Sequence, residues 1–438
     1  MEKAILPLNQ GQTLAATGFF EFLFNEDKEL NISGPGGVGK TFLMGHMIDT
    51  ILPQYFASCQ LMGIEPEYTK VVMCATTNKA ADVLSIATGR PVSTVHSFFN
   101  LKVQDDYSTG KQTISKTKLW EVHSKVIIFI DECSMIDKEL YKFILEGSHK
   151  CKIVYVGDHC QLPPVKEKIS KIYAKGIPFF ELTEPMRTNI PELHALNNQM
   201  RQTVETGVFG GIQLVPGIID LLDSDQFQAE IQQNFALDDH TNRIIGYTNN
   251  RVVNYNTYIR EVRGLPEAFQ KGEWLIINNA LRVKTGMFSV EQELKIFDMD
   301  PTSTMMEVDE DDPTVLLEVH MCTMEDKFGE LHPGIPVPVD RAHYTSLTKY
   351  FASSSNWNRY FFMKNTFPDL RQKDACTAYK AQGSTCDTVY IDLGDISTCR
   401  DAGQAACLLY VGISRARHRV AFYGDLVSKF GFLIPPVE

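Results

Sequence analysis

Nine residues, "SGPGGVGKT" from Ser33 to Thr41, contain the pattern G-x-x-x-x-G-K-[ST] over Gly34, Pro35, Gly36, Gly37, Val38, Gly39, Lys40 and Thr41. Glycines in such a loop let backbone N–H groups converge on phosphate oxygens. Lys40 brings a point charge to the β- and γ-phosphates, and the Thr41 hydroxyl is a ligand for Mg²⁺. A second chemical pair, Asp131-Glu132, closes the apolar run "VIIFI". Beside a phosphate loop, Asp131 suits a water-mediated hold on Mg²⁺, and Glu132 suits orienting or deprotonating the attacking water. Together the two motifs say hydrolysis of a nucleoside triphosphate. They do not say what the hydrolysis drives, because kinases, transporters and motors share them. A third stretch, "YVGDHCQLPPV" (Tyr155–Val165), is more selective. Gln161 is placed to reach a γ-phosphate, and the stiff Pro163-Pro164 pair to pass its loss to another surface.

These residues need a frame that brings strand ends together. "ELNIS" reads as a short strand entering the glycine loop, and "FLMGHMIDTIL" as a helix leaving it and ending before Pro53. "VVMCAT", "KVIIFIDE" and "KIVYVGD" are apolar strands alternating with helical segments such as "NKAADVLSIA". Fully apolar strands separated by helices predict a parallel, doubly wound α/β sheet. From Phe179 the pattern restarts with "ELTEPMR", the helical "PELHALNNQMRQTV", and the strands "RIIGYT", "DTVYIDL" and "RVAFYG". The predicted organisation is a first α/β domain over 1–178, a second over 179–271 and 375–438, and a β-rich insertion over 272–374. A polar hairpin with a glycine turn is expected at about 100–120.

Composition sets outer bounds. The 438 residues are 44% hydrophobic and 22% charged, ordinary for a globular protein. No apolar run approaches the ~18 residues of a membrane helix, and the N-terminus lacks a signal-peptide layout, so no membrane partner and a cytoplasmic location are expected. Ten scattered cysteines include no C-x-x-C pair, which argues for reduced thiols over a zinc site or redox motif. The net charge of −12 argues against bulk electrostatic binding of DNA, yet leaves room for a local groove with few phosphate contacts.

At Gly157–Val165 the sequence comes to resemble the superfamily 1B helicases, the branch that includes the RecD-like and phage Dda-like enzymes. The remaining motifs then follow in that family's order. "LNQGQ" is similar to the Q-motif, "CATTNKAA" to motif Ia, "STVHSFF" to motif Ib and "ELTEPMRT" to motif IV. "CTAYKAQGSTCDTVYID" is similar to motif V, with Tyr379 where histidine is usual, and "LLYVGISRARHRV" to motif VI. The resemblance spans about Leu8 to Val420.

It implies two RecA-like domains that clamp ATP and Mg²⁺ in their cleft. Gln12 would read adenine, Gly383 would border the nucleotide, and Arg187 and Arg415 would reach the γ-phosphate from the second domain. Thr77, Asn78, Thr94, His96, Thr377 and Tyr379 would lie along single-stranded DNA. Phe98 or Phe99 would stack on a base, with core packing as the alternative for both rings. The insertion at 272–374 would include an SH3-like domain, and the hairpin at 100–120, with Tyr107 or Lys111 near its tip, a strand-separating pin. The implied activity is an ATP-driven helicase and translocase moving 5′→3′ on single-stranded DNA and at single-strand/duplex junctions. It would act as a monomer, with a replication or single-strand-binding protein as partner. Two rivals stand beside it: a DNA-stimulated ATPase that remodels nucleoprotein without unwinding, and a P-loop phosphotransferase.

Overall fold

The computed structural model describes residues 7–108, 111–163, 170–174, 176–184, 189–237 and 241–436. Its first sheet has six strands in the order Phe179–Glu181, Glu29–Ser33, Lys152–Gly157, Val126–Asp131, Lys70–Ala75 and Val92–Thr94. Every pairing is parallel. Helices cover both faces, so the central strands are buried along nearly their whole length, as Lys152–Gly157 shows. The C-terminal ends of three adjacent central strands deliver Ser33, Gly157 and Asp131 to one edge, the place where open α/β sheets bind ligands.

Two expectations are corrected here. The boundary at 178/179 falls inside the sheet, because Phe179–Glu181 pairs with Glu29–Ser33. The helix after the glycine loop also does not stop before Pro53. Helical backbone runs from Lys40 to Met62 through a π-turn at Met47–Ile51. That turn hands over to a segment in which Pro53 occupies the first turn, where its missing N–H costs least.

The second sheet has five parallel strands, ordered Ile219–Leu222, Ala416–Tyr423, Cys386–Asp392, Asn242–Gly246 and Ala375–Thr377. The helices Pro191–Thr206 and Ala402–Ile413 share an apolar core with its strands. Between Asn242–Gly246 and Ala375–Thr377 the chain leaves to build an antiparallel sheet from Trp274–Ile277, Glu293–Met299, Thr304–Glu307, Leu316–Asp326, Leu331–Pro338 and Leu370–Arg371. This insertion is not purely β. Helices Arg341–Ser353 and Trp357–Thr366 bury Tyr344, Phe351, Phe361 and Met363.

The expected polar hairpin is a ribbon of Leu101–Asp106 against Lys111–Lys116. It reaches the insertion. Tyr107 meets Phe361 edge-on at 4.9 Å, and Asn365 Nδ2 donates to Asp105 Oδ2 at 3.1 Å. Among the described residues no helix is long and apolar enough to cross a membrane, and all ten cysteines are buried and unpaired.

Candidate nucleotide and nucleic-acid site

The glycine loop is shaped by its neighbours as much as by its own sequence. A β-carbon on Gly34 would run into the backbone carbonyl of Leu182, so only glycine fits there. Gly37 and Gly39 have φ of 88° and 79°, the left-handed region that glycine enters without strain. Gly39 then caps the helix that begins at Lys40. The Lys40 ammonium donates to the carbonyls of Gly34 and Pro35 at 2.6 and 3.0 Å, which fixes its charge over the loop. Gln12 is fully buried. Its amide nitrogen donates to the Val38 carbonyl at 3.1 Å, and its amide oxygen accepts from Asn9 N at 3.1 Å. The structure therefore ties Gln12 to the loop itself.

Asp131 ends the strand Val126–Asp131, which Lys152–Gly157 separates from the strand leading into the loop. Burial first, and then the Glu132 carboxylate, push its carboxyl up to about 7, while Lys40 pulls the other way. A buried carboxyl crowded by a second acid favours a cation. Together with the Thr41 hydroxyl it would offer an all-oxygen donor set, a chemistry that fits Mg²⁺. Glu132 has φ of 53°, an uncommon conformation for a non-glycine residue. Its carbonyl accepts from the Thr76 hydroxyl at 3.2 Å.

The second domain closes on this edge. Gln382 Nε2 donates to Gln161 Oε1 at 3.4 Å, and Gln161 is 4% exposed. Gly383, with φ of 74°, sits so close that an added β-carbon would lie 4.0 Å from Glu132 Oε1. Arg415 is buried. Its guanidinium donates to the carbonyls of Val411 and Ser384 at 3.1 and 3.4 Å and to the Ser414 hydroxyl at 2.8 Å. Arg187 lies outside the described residues.

The expected DNA contacts divide. Thr77 lies just past the strand Lys70–Ala75 and Thr94 ends its neighbour Val92–Thr94, and each caps the helix after it. Their hydroxyls accept from Ala80 N and Ser97 N, both at 3.1 Å. Asn78 opens the first of these helices and is exposed. His96 is half-buried, and that burial lowers its pKa, so it is neutral at pH 7. The two phenylalanines are packed: Phe99 is fully buried, and Phe98 stacks on His123 at 4.1 Å. Core packing accounts for Phe99, and one face of Phe98 is already taken. Thr377 is buried, and Tyr379 packs on the second-domain core with its hydroxyl accepting from Gln404 Nε2 at 2.9 Å.

Sequence reading missed a cluster of cations. Lys79, from the helix Asn78–Thr88, lies in the field of Arg243 of the second sheet and Arg371 of the insertion. Burial, and then those two guanidiniums, hold its ammonium below the ordinary lysine range. Lys380 is nearby, lowered by burial and by Arg371, and is bonded to Asn278 and Glu291. "TTNKAA" and "RIIGYT" contained Lys79 and Arg243 in plain view, but only the fold brings them together.

The comparisons with known proteins agree with this geometry. Residues 7–209 match the AAA domain family, and residues 374–423 match the UvrD-like helicase C-terminal domain. The chain is 25% identical to the ATP-dependent DNA helicase dda of Enterobacteria phage T4, over 95% of this chain and 99% of that protein. It is 24% identical to uncharacterized protein R530 of Acanthamoeba polyphaga mimivirus, over 94% of this chain and 99% of that one. The Pif1 helicase from Bacteroides, solved with ADP-AlF3 and single-stranded DNA, shares the fold with a TM-score of 0.54. That match has 14% identity and covers 98% of this chain and 95% of the other. With two RecA-like sheets, a phosphate loop on the first and the motifs of the second closing over it, the chain is similar over nearly its whole length to a superfamily 1B DNA helicase of the Dda type.

Proposed function

We propose that this protein is an ATP-dependent DNA helicase that moves 5′→3′ along single-stranded DNA. The observation that carries the reading is the meeting of Gln382 and Gly383 with Gln161 and Glu132. Groups from both domains thus border one phosphate site, as a motor requires and a simple phosphate donor does not. In this reading the loop from Gly34 to Thr41 binds the triphosphate, with Lys40 on its terminal oxygens. Glu132 orients the attacking water, and Gln161, Arg187 and Arg415 respond to the γ-phosphate. Mg²⁺, held by Thr41 and Asp131, would neutralise charge on the β- and γ-phosphates.

Single-stranded DNA would lie across the helix ends at Thr77 and Thr94 and beside Lys79 and Arg243. The hairpin braced on the insertion would part the strands. We further infer that the antiparallel sheet within 272–374 is the SH3-like insertion of the family. A monomer working with a replication or single-strand-binding protein is the assembly that the reading favours.

The test is ATP hydrolysis with and without single-stranded DNA, beside Lys40→Ala. DNA should stimulate the wild-type enzyme, and the variant should lose at least about 10²-fold in kcat, the scale of removing a preorganised charge from a transition state. Absence of stimulation in the wild-type chain would sink the proposal. Duplexes with a 5′ or a 3′ tail decide direction; unwinding of the 3′-tailed substrate alone would overturn 5′→3′ travel.

A further inference from the structure

Apart from the phosphate-side contacts, one buried polar node joins the two RecA-like domains. Asp158 follows the strand Lys152–Gly157 and is fully buried. Tyr410 of the helix Ala402–Ile413 donates to Asp158 Oδ2 at 2.6 Å, and Arg201 of the helix Pro191–Thr206 donates to Oδ1 at 2.8 Å. Arg201 also donates to Glu181 Oε1 at 2.6 Å and lies 3.4 Å from Glu205. The same Asp158 carboxylate accepts from Cys160 N at 3.1 Å, and its backbone carbonyl accepts from Gln161 N at 3.1 Å. It therefore shapes the turn that presents Gln161. On the other side, Tyr410 sits in the last turn of the helix Ala402–Ile413, and Arg415 lies just past its end, with its Nε donating back to Val411 O. Around the node, Cys160 and Leu162 of the first domain pack into the core of the second, against Leu193, Met200 and Leu409.

We propose that Tyr410 and Arg201 are positioning residues that hold Asp158, keeping the Gln161 turn in register with the helix end that presents Arg415, so that the node is the fixed point about which the domains turn during the ATP cycle. This rests on the motor reading above. Two observations support it. The node bonds are 2.6–2.8 Å, whereas the phosphate-side bridge from Gln382 to Gln161 is 3.4 Å. Opening the node would also leave the buried Asp158 carboxylate with only the Cys160 N–H and part the Arg201 guanidinium from two carboxylates, which is far costlier than parting two amides. Relative motion is therefore cheapest at the phosphate edge, with the node intact. Burial and Asp158 keep the Tyr410 phenol well above its ordinary pKa, so it remains a donor throughout.

The test uses the full chain and Tyr410→Phe, which removes one hydroxyl and leaves the Asp158–Arg201 pair. ATPase kcat and KM are measured with single-stranded DNA, together with DNA affinity with and without a non-hydrolysable ATP analogue. The expected result is a DNA-stimulated kcat lower by about tenfold with KM for ATP within about twofold. The factor by which the analogue changes DNA affinity should shrink toward one, since that factor measures coupling between sites. The double variant Asp158→Asn, Arg201→Gln, which keeps hydrogen bonds without charge, should retain more coupling than Asp158→Asn alone. Unchanged kcat and coupling in a stimulated wild-type background would overturn the node proposal by itself. So would losses in kcat and KM that merely track a lower melting midpoint. A wild-type chain that DNA does not stimulate would remove the motor reading as well.

Discussion

Two glycines eleven residues apart show what single positions decide. Gly34 is pressed against the Leu182 carbonyl, whereas Gly45, in the helix Lys40–His46, has open space where a β-carbon would go. Gly34→Ala must push the phosphate loop away from the sheet edge, so ATP affinity should fall by at least about tenfold, a shift of ~1.4 kcal/mol. Gly45→Ala should instead raise stability by up to about 1 kcal/mol through helix propensity. Nucleotide titration and thermal melts of the two variants check both. A Gly34→Ala enzyme with normal ATP affinity would mean that the loop tolerates displacement. The residues that make the loop work were plain in the sequence, because G-x-x-x-x-G-K-T is a local pattern. Gln12 was legible as a candidate, but its bond to Val38 was not. Asp158, Arg201 and Tyr410 were not legible as a unit. Their bonds span 43 and 252 residues, and nothing local marks a buried pair at that separation.

At the scale of elements, the parallel strands were easy to find because apolar runs ended in acids or glycine. Two helices were harder. "RAHYTSLTKYFAS" mixes polar residues into its apolar face, and the aromatic run in "WNRYFFMKNT" suits a strand as well as a helix. Those helices matter because one of them braces the hairpin. Hairpins of two strands are marginal alone. Leu101–Asp106 and Lys111–Lys116 gain support where Tyr107 meets Phe361 and Asp105 meets Asn365. An aromatic pair of this kind contributes about 0.5–1.5 kcal/mol. Tyr107→Ala should therefore reduce the rate of duplex unwinding by roughly two- to tenfold, while DNA-stimulated ATP hydrolysis persists. Strand-displacement and ATPase assays on one preparation separate the two. Equal loss of both would mean that the hairpin supports the motor and has no separate role in parting strands.

At the scale of the molecule, the net charge of −12 must be reconciled with a polyanionic track. The structure concentrates positive charge where both domains and the insertion meet. Among the described residues neither Lys79 nor Arg243 forms an ion pair, although Glu291 acts on Lys79 and Asp374 and Cys376 act on Arg243; Arg243 Nε is buried without a hydrogen-bond partner. Lys380 and Arg371, by contrast, already share Glu291. Two cations outside any ion pair, on a chain of net negative charge, imply binding through few phosphates. For single strands log K falls with log salt at about −0.7 per phosphate neutralised, so two contacts predict a slope of about −1.4. Arg243→Gln should flatten that slope by about 0.7 and weaken binding similarly on every sequence, since a phosphate contact carries no base information. Fluorescence titrations of single-stranded DNA across a salt series measure it. A slope several times steeper would place the nucleic acid on a wider basic surface than this cluster, and a slope unchanged in Arg243→Gln would place it elsewhere.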